Sequence, residues 1–216
     1  RGVYLSIVIE FLKKFLPNKP QMIGISATIP KVDLKLVMRF IDADEFVEVK
    51  TEERPRFVLS EAIEFPEIEK SICNAVSTIM FLDLSKCNWH GSIYPSILFA
   101  NSRRFTEYLA GMLNECFKKE SEDSSDESSK SKFGVIHSDV KKRYRKTYIN
   151  QFEDGELTGI VATSALSEGV DFRRANGVVQ IASACHPIFL KQRIGRARHN
   201  PGEVPVAGIV SLSSLD

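Results

Sequence analysis

Cysteine is scarce in this chain and the few present are scattered. Cys73, Cys87, Cys116 and Cys185 are the only four in 216 residues, and no two form a CxxC pair. Cys185 does adjoin His186, but sequence neighbours rarely ligate one metal. The pattern argues against a zinc or iron–sulfur site and against a disulfide framework. Long apolar runs are missing too. None reaches the roughly 18 residues that would suggest a membrane span, and the N-terminus lacks the organisation of a signal peptide. The chain therefore reads as intracellular, cytoplasmic or nuclear in a eukaryote, with no membrane partner. No glycine-rich loop follows any of the apolar segments, which argues against an unrelated, self-contained α/β nucleotide enzyme.

A charge of one sign is lacking as well. The formal total is only +1, yet it is unevenly placed. Residues 120–132 carry five acids against Lys130 and Lys132, a net of −3, so the remainder carries +4. That mild basicity is compatible with a nucleic-acid groove and is too weak to establish one. Segment 118–132 (KKESEDSSDESSKSK) has no apolar residue, so it cannot offset its chain entropy by burial and reads as a flexible loop joining helix to strand.

What is present is a soluble-protein balance, with 43% apolar and 26% charged residues. Residues 3–16 space their apolar side chains as a helix that stops before Pro17, followed by a short strand at 21–25 and a helix at 31–41. Strands are predicted at 45–50 and 56–65, and a helix at 66–82. From residue 96 the chain alternates: strands at 96–101, 133–137, 158–163, 177–182 and 206–212, with helices at 103–117, 140–153, 164–168 and 187–198. The strands are short, apolar on both faces and rich in Ile and Val, which predicts an α/β fold with a buried parallel sheet and helices on both faces.

In such sheets ligands collect beyond the carboxyl ends of the strands. Those positions hold Ser26-Ala27-Thr28, Ser102-Arg103-Arg104, His137-Ser138-Asp139 and Thr163-Ser164 leading to Gly169 and Asp171. The last helix carries Gln192-Arg193-Ile194-Gly195-Arg196-Ala197-Arg198, with Pro187 suited to its first turn. Helical spacing would put Gln192 and Arg193 each on a common face with Arg196, and Gly195 would permit close approach of backbone or ligand. Hydroxyls, helix N-termini and guanidiniums recurring on one edge are equipment for holding phosphates. Each piece alone is equally compatible with a capped helix or a solvated basic face. No Asp or Glu stands at a sequence spacing that would orient His137 as a base.

Taken in order, these segments resemble superfamily-two helicases. GISATIP (24–30) is similar to motif III, SILFANSRRFTEYLAGML (96–113) to motif IV, FGVIHSDVKKRYRKTYINQFEDGE (133–156) to the strand and helix that follow it, GIVATSALSEGVDF (159–172) to motif V, and QRIGRAR (192–198) to motif VI. ISATIP and the phrase around motif V lean towards the Ski/Lhr-like branch. The resemblance implies a RecA-like second motor domain in residues 41–216, preceded by the tail of a first motor domain in 1–40. By the same resemblance, Arg196 is the candidate arginine finger, with Arg193 and Arg198 as helpers. Gln192, Gly169 and Asp171 face ATP or the cleft, while Ser102, Arg103, His137, Ser138, Thr163 and Ser164 meet a DNA or RNA strand. Ser26 and Thr28 couple nucleotide state to domain closure. Where the usual motif VI continues with Gly-Arg, this chain has Arg198-His199, which leaves the second finger open among Arg198, His199 and none.

The implied cofactor is ATP with Mg2+, shared with a first RecA-like domain. Neither GxxxxGK[ST] nor a DExH or DEAD tetrapeptide occurs, so the chain reads as a fragment that should not hydrolyse ATP alone. The alternative is a helicase-like module that binds nucleic acid or protein without powering anything.

Overall fold

The computed structural model describes residues 2–18, 21–24, 32–48, 55–60, 68–82, 92–122, 132–167, 170, 172–197 and 205–212. The chain divides into two compact units, 1–52 and 53–216. The division thus falls after residue 52 rather than at the expected 40.

In the first unit, helix α1 (Gly2–Phe15) ends just before Pro17, as its periodicity predicts. Helix α2 (Leu34–Ile41) closes on Asp42 in the left-handed conformation, and the Lys13 ammonium reaches both Glu10 and Asp42. Strands are expected at 21–25 and 45–50, but the described residues of these segments, 21–24 and 45–48, have no regular structure. A strand exists only when its backbone groups find a ladder partner, and none of the described residues of this unit supplies one.

The second unit is a six-stranded parallel sheet. Its strands are β1 (Arg56–Leu59), β2 (Ser96–Phe99), β3 (Phe133–Ile136), β4 (Gly159–Ala162), β5 (Gly177–Ile181) and β6 (Val206–Val210), in the order β1-β6-β5-β2-β4-β3. Ser96 of β2 sits in register with Gly159 on one side and Gly177 on the other. β2, β4 and β5 are buried on both faces, which is why their sequences are continuous apolar runs. Period-two alternation sends Leu98, Val161 and Val179 to one face, under α3 (Ile68–Met80) and α4 (Arg103–Glu122). Ile97, Phe99, Ile160 and Val178 go to the other, under α5 (Lys142–Glu153) and the segment around Leu166 and Phe172. Phe99, Phe152 and Phe172 are fully buried, worth about 1.5–3 kcal/mol each relative to exposure.

Three helices depart from expectation in extent. α4 continues past the predicted 117 to Glu122, because Lys and Glu have high intrinsic helix propensity even without an apolar face. The loop expected at 118–132 is therefore helical at its start, and residues 123–131 lie outside the described residues. The helix after β4 is a single 3-10 turn at Ser164–Ser167. Helix α6 (Pro187–Ile194) stops short of the expected 198, with Gly195 ending it and tighter bonds, Arg196 N to Arg193 O and Ala197 N to Ile194 O, closing the turn.

Candidate functional site

The carboxyl ends of β5, β2, β4 and β3 lie side by side, so the segments after them share one rim of the sheet. On the β2–β3 side, Ser102 starts α4: its Oγ accepts the Phe105 N–H at 3.2 Å, satisfying one of the helix's free donors. Arg103, in the first turn, reaches across to Asp139 at 2.6 Å, and both side chains are exposed. That hydrogen bond holds the Asp139 carboxyl below its usual range, assisted by Ser138 Oγ and opposed by partial desolvation.

The turn Ser138–Val140 is clamped from two sides. Arg145 of α5 donates to the carbonyls of Val140 at 2.6 Å and Ser138 at 2.8 Å. His137, only 3% exposed, accepts the Asp139 backbone N–H at Nδ1 and stands 2.9 Å from Glu107 Oε1 through Nε2. Because the backbone group can only donate, Nδ1 is the accepting nitrogen and Nε2–H donates to the Glu107 carboxylate. Glu107 lies thirty residues from His137, so sequence spacing could not reveal the carboxylate that orients this ring.

On the β2–β5 side, α6 is started by Pro187 and by His186, whose Nδ1 accepts the Ile188 N–H at 3.2 Å. The far end of α6 comes back to the rim. Arg193 is buried; its Nη1 donates to Gln180 Oε1 of β5 at 2.5 Å and to Asn101 Oδ1 beyond β2 at 3.3 Å. Its guanidinium carbon lies 5.3 Å from the centroid of the Phe99 ring. Burial pulls this guanidinium's pKa down, although arginine stays charged at any physiological pH. Just beyond α6, Arg196 Nη1 donates to the Val170 carbonyl at 3.0 Å, joining the arginine segment to the segment that follows β4.

The residues expected to meet a strand therefore share one edge. Ser102, Arg103, Ser138 and Ser164 are exposed there, whereas His137 and Thr163 are buried. A shared face for Gln192, Arg193 and Arg196 is not found: Gln192 is exposed, Arg193 is buried, and Arg196 lies past the end of the helix, where helical spacing no longer applies. Among the described residues Gly195 does not make room for a neighbour either, since an added Cβ would meet only ordinary contacts from 3.5 Å outward. Ser26, Thr28, Gly169, Asp171, Arg198 and His199 lie outside the described residues. Sequence reasoning passed over Asn101, Glu107, Arg145 and Gln180. Of these only Gln180 carried a signal, as a polar residue inside an otherwise apolar strand.

The family described as the helicase conserved C-terminal domain matches residues 77–200, from the end of α3 through the arginine segment. The chain belongs to this family. The proteins it resembles include Lhr-like helicases and DEAD-box RNA helicases. The Lhr helicase/probable uracil glycosylase of Mycolicibacterium smegmatis is 27% identical over 94% of this chain. The ATP-dependent helicase Lhr-Core of Sulfolobus acidocaldarius is 26% identical over the whole of it. A solved structure of the Mycobacterium smegmatis helicase Lhr bound to ssDNA and AMP-PNP covers 99% of the chain at 25% identity with a TM-score of 0.77. The helicase domain described here spans only 15% and 24% of the two relatives' lengths and 27% of that solved chain. The RecA-like fold is shared with Mss116p, whose structure bound to ssRNA and AMP-PNP covers 96% of this chain and 39% of its own at 20% identity and a TM-score of 0.68.

Proposed function

We propose that this chain is the second motor domain of an ATP-dependent DNA or RNA helicase or translocase. In this reading Arg196 is presented to the γ-phosphate of an ATP-Mg2+ held mainly by a first RecA-like domain. The observation that carries it is the bond from Arg196 to Val170, which sets the arginine segment against the segment after β4 on the ligand-bearing edge of the sheet. A guanidinium there offers a planar fork of donors to the charge that spreads over a transferring phosphoryl group. Closure of the two domains would bring it onto ATP, and opening after hydrolysis would move the strand.

The β2–β3 side of the rim suits the strand. Ser102 and Arg103 are exposed at the start of α4 and Ser138 is exposed on a turn immobilised by Arg145 and His137, which favours backbone contacts without base information. The first turn of α5 points the same way, because it has no acidic residue and carries Lys142, Arg143 and Arg145. Cations at a helix N-terminus oppose the macrodipole, by about 0.3–1 kcal/mol each, and a bound phosphate chain would offset that cost. With no phosphate loop or DExH box in the chain, ATP turnover requires the partner domain.

The test is Arg196→Ala in the protein that carries both motor domains. Nucleic-acid-stimulated ATPase should fall by about 10³-fold or more, while affinity for a single strand changes little. Near-normal turnover refutes the assignment. The helicase domain alone should bind a strand and release no phosphate from ATP.

A further inference from the structure

The finger reading leaves one buried cation without a task. Arg193 is 5% exposed, its two acceptors are both neutral amides, and its Nε has no hydrogen-bond partner among the described residues. Burying a guanidinium costs free energy that neutral acceptors only partly return. An apolar side chain could fill the space over Phe99 with less penalty, so the value of the group must lie in what it holds in place.

What it holds is a turn. Gln180 Nε2 donates to the carbonyls of Ile181 at 2.9 Å and Ala182 at 3.0 Å, and Asn101 Nδ2 donates to the carbonyl of Ser183 at 2.6 Å. Two amides thus grip three successive carbonyls running from the last residue of β5 into the turn before α6, and each turns its oxygen to Arg193. The assignment is self-consistent, since backbone carbonyls can only accept and a guanidinium can only donate. The turn needs gripping: Ala182 and Cys185 both take positive φ, 60° and 63°, a conformation L-residues hold only when their surroundings fix it. Beyond α6 the chain connects directly to the finger, because the Arg196 N–H donates to the Arg193 carbonyl at 3.0 Å.

We infer that Asn101, Gln180 and Arg193 form a latch that locks the β5–α6 turn to the end of β2 and thereby sets the position of Arg196 at the nucleotide. Arg193 is then a positioning residue that never meets phosphate, and Gln180 and Asn101 act through it. This rests on Arg196 as the finger. Displacement of a reacting group by about an ångström costs on the order of a hundredfold in rate, so loosening the latch lowers kcat while leaving KM for ATP and strand affinity nearly alone.

The experiment measures steady-state ATPase of the two-domain protein with Gln180→Met, which keeps the side-chain length and removes all three hydrogen bonds. It is made in the native background and in Arg196→Lys, which keeps a cation without the fork. Gln180→Met should lower kcat by roughly ten- to a hundredfold with KM within about threefold. In the Arg196→Lys background, where the finger is already misplaced, the same change should cost less than about threefold. An unchanged kcat, or the same loss in both backgrounds, overturns the latch while leaving the finger standing. If Arg196→Lys alone turns over at the native rate, the finger reading itself fails. Asn101→Ala, at an exposed residue outside the core, should show the same split and serves if Gln180→Met does not fold.

Discussion

Replacing Gly208 with alanine tests the packing on which the rim is built. Gly208 is the middle residue of β6, in register with Val179 of β5 and Val58 of β1. A Cβ at this position would lie 2.2 Å from Cγ2 of Ile79 on α3, where carbon atoms need about 3.5 Å or more. Ile79 cannot turn away, because a β-branched side chain in a helix has one strongly preferred χ1 rotamer. α3 would have to lift from β6, a forced displacement that in a packed core costs about 1–3 kcal/mol. For a chain of this size that lowers Tm by roughly 2–4 °C per kcal/mol, measured by circular dichroism. Ile79→Leu removes the offending branch at nearly constant volume and should cost less than about 1.5 kcal/mol by itself. In that background Gly208→Ala should lose most of its effect, a coupling of about 1 kcal/mol or more. An unchanged Tm for Gly208→Ala, or an equal cost in both backgrounds, would show that α3 and β6 do not meet at this register.

Two further outcomes bear on the β2–β3 side of the rim. Lys142→Ala with Arg143→Ala should weaken single-strand binding about equally for all sequences and reduce the slope of log affinity against log salt by up to roughly 0.7 per lost phosphate contact; an unchanged slope places the strand elsewhere. Asp139 should titrate below the ordinary aspartate value in a carboxyl-resolved NMR titration, and Arg103→Ala should bring it back up. Because the folded pKa is lowered, the contribution of this pair is present at neutral pH and is lost only as pH falls through the acid range below the ordinary value. A loss of the Arg103–Asp139 interaction between about pH 5 and 8 contradicts the assignment.

Much of the fold was legible because its causes are local. The apolar runs around Ile97, Ile160 and Val178 admit little but strands buried on both faces, and Pro17 and Pro187 sit where helices stop or start. Elements failed to appear where the cause was not local: 21–24 and 45–48 have suitable side chains but no described partner ladder. The candidate site divides along the same line. Arg103, Ser138, Ser164 and Arg196 were visible as residue types following predicted strands. The roles of His137 and Arg193 were not, because what surrounds them is contributed by Glu107, Asn101 and Gln180 from other elements.

Residue chemistry and order along the chain were thus sufficient to determine a parallel α/β sheet, the edge of it that carries hydroxyls and guanidiniums, and the family. Only the tertiary structure decided which guanidinium is sunk among neutral amides and which lies by the segment after β4. Helical spacing treats Arg193 and Arg196 alike, whereas burial and hydrogen bonding depend on where β2, β5 and the turn between β5 and α6 meet in space.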